Sequence, residues 1–216
     1  MKKSILVLAV ISFSFFISNH TFAQSDTTKR TQLLSVSGVG YGFTSGTLKQ
    51  VLKPRFSSNL GIQLIPKNGS FFISAVADIL SFGYYQNYTE KAQEPFRIKN
   101  GNSTFYLLEV TPGYRKRFKH ISLYGYAGPG VGLLDLPNAA VNTTQQTATM
   151  VDNYSWTASA KAGLGIDYSL GGFVVFLQGG YIRNFSKVQN LDVNIFPAYL
   201  GLKSNITGIL TFLGGK

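Results

Sequence analysis

The most regular stretch of the chain runs from Tyr154 to Leu170. Here Tyr154, Trp156, Ala158, Ala160, Ala162, Leu164, Ile166, Tyr168 and Leu170 alternate with Ser155, Thr157, Ser159, Lys161, Gly163, Gly165, Asp167 and Ser169. A period of two is the mark of a β-strand, whose successive side chains point to opposite faces. One face of this strand is wholly apolar, and the other is small or polar. At 17 residues it is long for a strand of a soluble sandwich. The aromatic residues Tyr154, Trp156 and Tyr168 sit at the two ends of the apolar face, matching the interfacial girdle of a membrane barrel.

The same alternation recurs near residues 33–43, 55–65, 71–85, 104–116, 121–134, 154–169, 173–185 and 196–212. In the second of these, Phe56, Ser58, Leu60, Ile62 and Leu64 face away from Ser57, Asn59, Gly61 and Gln63. In the last, Phe196, Ala198, Leu200, Leu202, Ile206, Leu210 and Phe212 oppose Tyr199, Gly201, Lys203, Asn205, Thr207 and Thr211. Glycine-rich runs (Gly38, Gly40, Gly42; Gly125, Gly128, Gly130, Gly132) blur the faces of the first and fifth strands. On these boundaries the connections run 11, 5, 18, 4, 19, 3 and 10 residues, alternating long and short as outer-membrane barrels do. The short ones carry turn chemistry, in Pro66-Lys67-Asn68-Gly69 and Leu170-Gly171-Gly172. The expected fold is all-β: an eight-stranded antiparallel up-and-down transmembrane β-barrel, with the long loops outside the cell.

The amino end changes the picture from fold to location. Met1-Lys2-Lys3 precedes the apolar run Ile5 to Ile17, and Thr21-Phe22-Ala23 puts small residues three and one before Gln24. Residues 1–23 thus read as a cleaved signal peptide, too short to span a bilayer as a helix. Residues 24–216 read as one outer-membrane barrel domain. The chain has no cysteine, so a lipid-attached start, a disulfide framework and thiolate metal sites are excluded. Removing Lys2 and Lys3 leaves 18 basic against 9 acidic residues, a net charge of +9. The charges are scattered and the chain is exported, so outer-membrane lipid and lipopolysaccharide phosphates are the expected neighbours and nucleic acid is not. Lys49, Lys53 and Arg55 around the first long connection, with Lys91, Arg97 and Lys99 in the second, are candidates for such contacts.

Residues 103–134 (STFYLLEVTPGYRKRFKHISLYGYAGPGVGLL) join an aromatic-rich strand, a basic turn and a strand ending in Ala-Gly-Pro-Gly-Val-Gly. This stretch resembles the outer-membrane β-barrel family that includes PorT-like proteins and, more broadly, small OmpA-like barrels. The resemblance implies an eight-stranded barrel inserted by the barrel-assembly machinery, with no family-wide catalytic residues. The sequence departs at its end, where Phe212 is followed by Leu213-Gly214-Gly215-Lys216 rather than closing on an aromatic residue.

Candidate chemistry is sparse. His120 is the single histidine after residue 23, which argues against a multi-histidine metal site, and no cofactor is implied. His120-Ile121-Ser122 resembles the His-x-Ser of a lipid A deacylase barrel, but the nearest tempting acid, Asp135, lies past the far end of the same strand. The glycine runs lack the spacing of a phosphate-binding fingerprint. Asp78, Glu109, Arg115, Lys161, Asp167 and Lys203 all fall on the polar parity of their strands, and three acids against three bases suggest a lumen filled by ion pairs. Glu109 precedes Arg115 by six residues and Lys161 precedes Asp167 by six, so one register would join Arg115 to Asp167 and Glu109 to Lys161. Lys203 and Asp78 are the expected substitutes in this scheme. The expected function is that of a non-enzymatic, porin-like outer-membrane barrel with a structural, adhesive or envelope-assembly role. The alternatives are a soluble periplasmic lipocalin-like ligand-binding barrel and a lipid A-modifying enzyme. The protein partner is not legible.

Overall fold

An alternating strand exposes a row of N–H and C=O groups along each edge, and these strands satisfy one another by closing into a ring. The computed structural model describes residues 31–67, 69–86, 100–142 and 147–207; residues 1–23, expected from the sequence to be a signal peptide, lie outside them. The strands are β1 (Gln32–Thr44), β2 (Leu52–Pro54), β3 (Phe56–Ile65), β4 (Phe71–Tyr84), β5 (Gly101–Phe118), β6 (Ile121–Asn142), β7 (Thr147–Ser169), β8 (Phe173–Val188) and β9 (Leu191–Asn205). Every pairing is antiparallel. β1 pairs with both β3 and β9, and β4 pairs with β5, so the sheet closes. β2 sits beside β4 just ahead of β3, with Arg55 as the break between them. The two share one place in the ring, and the protein is an eight-stranded antiparallel β-barrel.

All eight expected strands are present, with different limits. β6 and β7 continue to pair from Leu136↔Asn153 to Asn142↔Thr147. The β5 and β8 pairings, by contrast, stop at Thr104↔Asp135 and Ser159↔Asn184. The 19-residue loop expected here is therefore mostly a two-stranded ribbon rising beyond the ring. The seventh connection shrinks likewise: Gln189 and Asn190 both adopt positive φ, 49° and 62°, the conformation of a tight mirror-image hairpin turn. β9 then starts at Leu191 rather than 196 and ends at Asn205 rather than 212. Past its end, the Ile206 N–H donates to the Leu33 carbonyl at 2.8 Å, and Leu210 and Phe212 lie outside the described residues.

One end of the barrel carries the turn closed by the Gly69 N–H donating to the Pro66 carbonyl at 2.9 Å, with the turns 119–120 and 170–172, and is called the turn end; the opposite end is the loop end. At the loop end, the connection between β1 and β2 folds inward. Its 3-10 turn, Gly46–Gln50, directs Leu48 into the lumen, followed by Val51 and Leu52. These join Leu80, Phe82, Phe105, Leu134, Ile182, Val193 and Ile195 in a dry apolar cluster. A smaller cluster of Leu34, Ile65, Phe72 and Tyr124 fills the turn end.

Candidate functional site

The alternation carries all six ionisable residues of the expected network into the lumen. Asp78 and Glu109 are fully buried, and Arg115, Lys161, Asp167 and Lys203 nearly so. They form two groups. Lys161 Nζ lies 2.7 Å from Glu109 Oε2 and is also ion-paired with Asp78. Nearer the turn end, Lys203 Nζ holds both oxygens of Asp167, at 2.9 and 3.0 Å. Two acids thus share one base in the first group. In the second, Asp167 meets Lys203 with Arg115 also in electrostatic reach.

The sheet register explains the first pairing. Through β6, Glu109 aligns with Gly130 and then with Ser159, so Lys161 is two residues further toward the turn end. A tilted barrel brings such staggered positions, two strands apart, to one level. Asp167 and Lys203 follow the same rule through β8, by way of Phe176 and Gly201. Arg115 aligns with Tyr124 and Gly165, which places Asp167 at the same stagger, but the expected Arg115 to Asp167 pair is not formed. Asp167 is taken from its other side by Lys203, and the Arg115 guanidinium donates from Nε to the Gly69 carbonyl at 2.6 Å. Carboxylate and guanidinium are in register, yet a carboxylate flanked by two cations bonds the one whose geometry reaches it first.

Aromatic rings complete the site, and their role is not legible in the strand pattern. Lys203 Nζ stands 4.3 Å from the Tyr124 ring centre and 5.3 Å from that of Phe176, within cation–π range. Lys161 has Tyr126 at 5.9 Å, and the Tyr199 hydroxyl lies beside Asp78. Glycines make room for these rings. A Cβ on Gly165 would come within 2.2 Å of Tyr124, and one on Gly201 within 2.6 Å of Phe176. Of the glycine runs that blur the sequence pattern, Gly38 makes room for the Phe176 ring in the same way, whereas Gly128 and Gly132 lie against neighbouring backbone. Between the two charged groups remains a cavity of about 20 Å³, room for a single water.

The outer surface is the inverse of the lumen. Ile62, Ile73, Leu108, Val110, Val131, Leu164, Ile166, Leu177, Leu200 and Leu202 are exposed on it. Toward the loop end lie the outward rings of Tyr41, Phe43, Phe56, Tyr106, Tyr181 and Phe196, and toward the turn end those of Phe71, Tyr114, Phe118 and Phe173. Tyr154, Trp156 and Tyr168 all point outward, Trp156 with 76% of its surface exposed. Of the loop cations, Lys53 stacks over Tyr85 at 4.3 Å and Arg55 donates to Asn102. Lys49 is exposed, and Lys91, Arg97 and Lys99 lie outside the described residues. His120 is exposed in a turn at one end of β6, and Asp135 pairs across from Tyr154 and Thr104 toward the other, so no His-Ser-acid relay is assembled from these residues.

No protein-family model matches the chain, and no curated protein matches it. Among solved structures it is similar to a major outer membrane protein from Thermus thermophilus, with a TM-score of 0.57 and 12% identity over 82% of this chain and 99% of that one. It is also similar to Neisserial surface protein A, with a TM-score of 0.52 and 11% identity over 81% of this chain and 97% of that one. At such identities the likeness is one of fold.

Proposed function

We propose that this chain is a non-enzymatic outer-membrane barrel with a structural or adhesive role, closed to solutes and presenting its loop end to the outside of the cell. The observation that carries this reading is the inverted distribution of side chains. Five charges are buried in ion pairs inside the lumen, while a continuous apolar sheet surface faces outward between aromatic bands. Soluble proteins rarely expose apolar patches beyond a few hundred Å², whereas lipid requires such a surface. A lipocalin-like carrier would need the reverse, an apolar cavity under a polar coat. The lumen is filled from both ends, which favours a contact protein over a pore. The β6–β7 ribbon, with Tyr154 and Trp156 near its base, is the natural contact surface, and Lys49 offers one cation to lipopolysaccharide phosphates at the same end. Insertion would be the task of the barrel-assembly machinery.

The test is fractionation followed by electrophoresis with and without boiling. The chain is expected in detergent-extracted outer membrane, with a band that shifts on heating because closure leaves no edge from which to unzip. Proteinase K added to intact cells should cut within the ribbon and leave a barrel-sized fragment. Recovery in the periplasmic fluid with one unshifted band would reject the reading.

A further inference from the structure

Lys67, Arg115, Lys116, Arg117 and Lys119 crowd the turn end. Among the described residues one acid, Asp167, lies at this end, and Lys203 holds both its oxygens. Lys67, Lys116, Arg117 and Lys119 are exposed. Their turns are tied together. The Arg115 N–H donates to the Ser70 carbonyl at 2.7 Å and its guanidinium to Gly69, so the turn bearing Lys67 is clamped against the strand bearing Lys116 and Arg117. Lys119 stands at φ 46°, a conformation in which glycine is the relaxed choice, yet a cation occupies it.

An apolar bed adjoins these charges on the outer face. Lys116 Nζ sits 5.4 Å from the Phe118 ring centre, and Phe71 packs edge-on against Tyr114 with centres 5.3 Å apart. Ile73, Ile121 and Leu123 extend the bed, all exposed. Cations at the edge of an outward apolar surface match an amphiphile, with a phosphate on the charges and a chain along the rings. A soluble acidic partner would have no use for the bed.

We propose that the turn-end rim is a binding site for anionic phospholipid, with Lys67, Lys116 and Lys119 holding the headgroup phosphate and Phe71, Tyr114 and Phe118 bedding the acyl chain. This rests on the membrane reading above and places the lipid in the leaflet facing the turns. Like-signed charge gathered on one rim is relieved by a counter-anion, and basic residues at a membrane surface favour anionic lipid.

The experiment uses the signal-free chain folded into phosphatidylcholine vesicles containing increasing phosphatidylglycerol. Lipid retained after detergent extraction is then measured by native mass spectrometry. Lys67→Gln, Lys116→Gln and Lys119→Gln combined form the rim variant. Lys53→Gln, Arg183→Gln and Lys187→Gln combined remove the same charge from the loop end. The unaltered chain should retain phosphatidylglycerol over phosphatidylcholine; the rim variant should lose that preference roughly tenfold or more, and the loop-end variant should keep it. Equal retention by the rim variant and the unaltered chain overturns the proposal, as does equal loss in both variants, which would mark a bulk charge effect. Displacement of the lipid by soluble polyglutamate would show an acidic-polymer site and also overturn it. A chain that enters no bilayer of any composition overturns the membrane reading and this one together, whereas insertion without lipid preference overturns this one alone.

Discussion

Lys161 and Lys203 are both buried ammonium groups, yet their removal is expected to cost different amounts. Lys161 is ion-paired with both Asp78 and Glu109, so Lys161→Met strands two buried carboxylates. Breaking a buried pair costs about 3–5 kcal/mol. Lys203→Met strands only Asp167, and Arg115, two strands away at the correct stagger, can turn from Gly69 to replace it. Its cost should be smaller by about 2 kcal/mol, within the range for a charged hydrogen bond. Urea titration of the folded, heat-shiftable band would measure both, and equal destabilisation would show that Arg115 cannot substitute. Lys119 makes the opposite case. Lys119→Gly should stabilise the turn by up to about 1 kcal/mol, because the left-handed backbone no longer opposes a Cβ. A loss of stability in the same titration would mean the side chain is held by contacts beyond those described.

At the scale of elements, the first connection behaves as a plug rather than a loop. Leu48 is 2% exposed and Val51 fully buried, and both sit in the loop-end apolar cluster. Thr44 adds a side-chain hydrogen bond to the Leu52 carbonyl at 3.0 Å. Leu48→Ala should therefore destabilise the barrel by about 2–5 kcal/mol, as in other buried large-to-small changes. A free surface loop would shift by less than about 0.5 kcal/mol, so the urea midpoint separates the two descriptions. The β6–β7 ribbon is the contrasting element: it extends past the last β5 and β8 pairings and is held by its own ladder. Ribbon amides should exchange with solvent well before those of the ring, since a two-stranded hairpin alone is only marginally stable.

For the whole molecule, an inverted barrel must place its outward rings at defined depths. Trp156 is the single tryptophan and points outward with 76% exposure, which makes it a depth probe without further labelling. In vesicles its fluorescence should be quenched most by lipids brominated near the headgroup, where amphipathic rings keep one edge wet. Maximal quenching from the acyl-chain ends, or none from any lipid, would count against the barrel's proposed seating in the bilayer.

Alternation alone set the strand count, the two faces and the lumen placement of Asp78, Glu109, Arg115, Lys161, Asp167 and Lys203. Side-chain parity is a local property that survives any choice of neighbours. The matched six-residue spacings even anticipated the meeting of Glu109 with Lys161, because a constant stagger between like-directed strands carries equal offsets to equal levels. What the linear pattern could not decide was competition among partners. Asp167 has Arg115 on one side and Lys203 on the other, and the choice depends on distances around a closed ring. The ribbon was equally hidden: Leu136 to Asn142 and Thr147 to Asn153 show no clean alternation, and only their mutual register makes them strands. The plug was read as an outward loop for the same reason, since a short apolar stretch turns inward only when a lumen is there to receive it. Closure of the sheet creates that lumen, and closure is a property of all eight strands together.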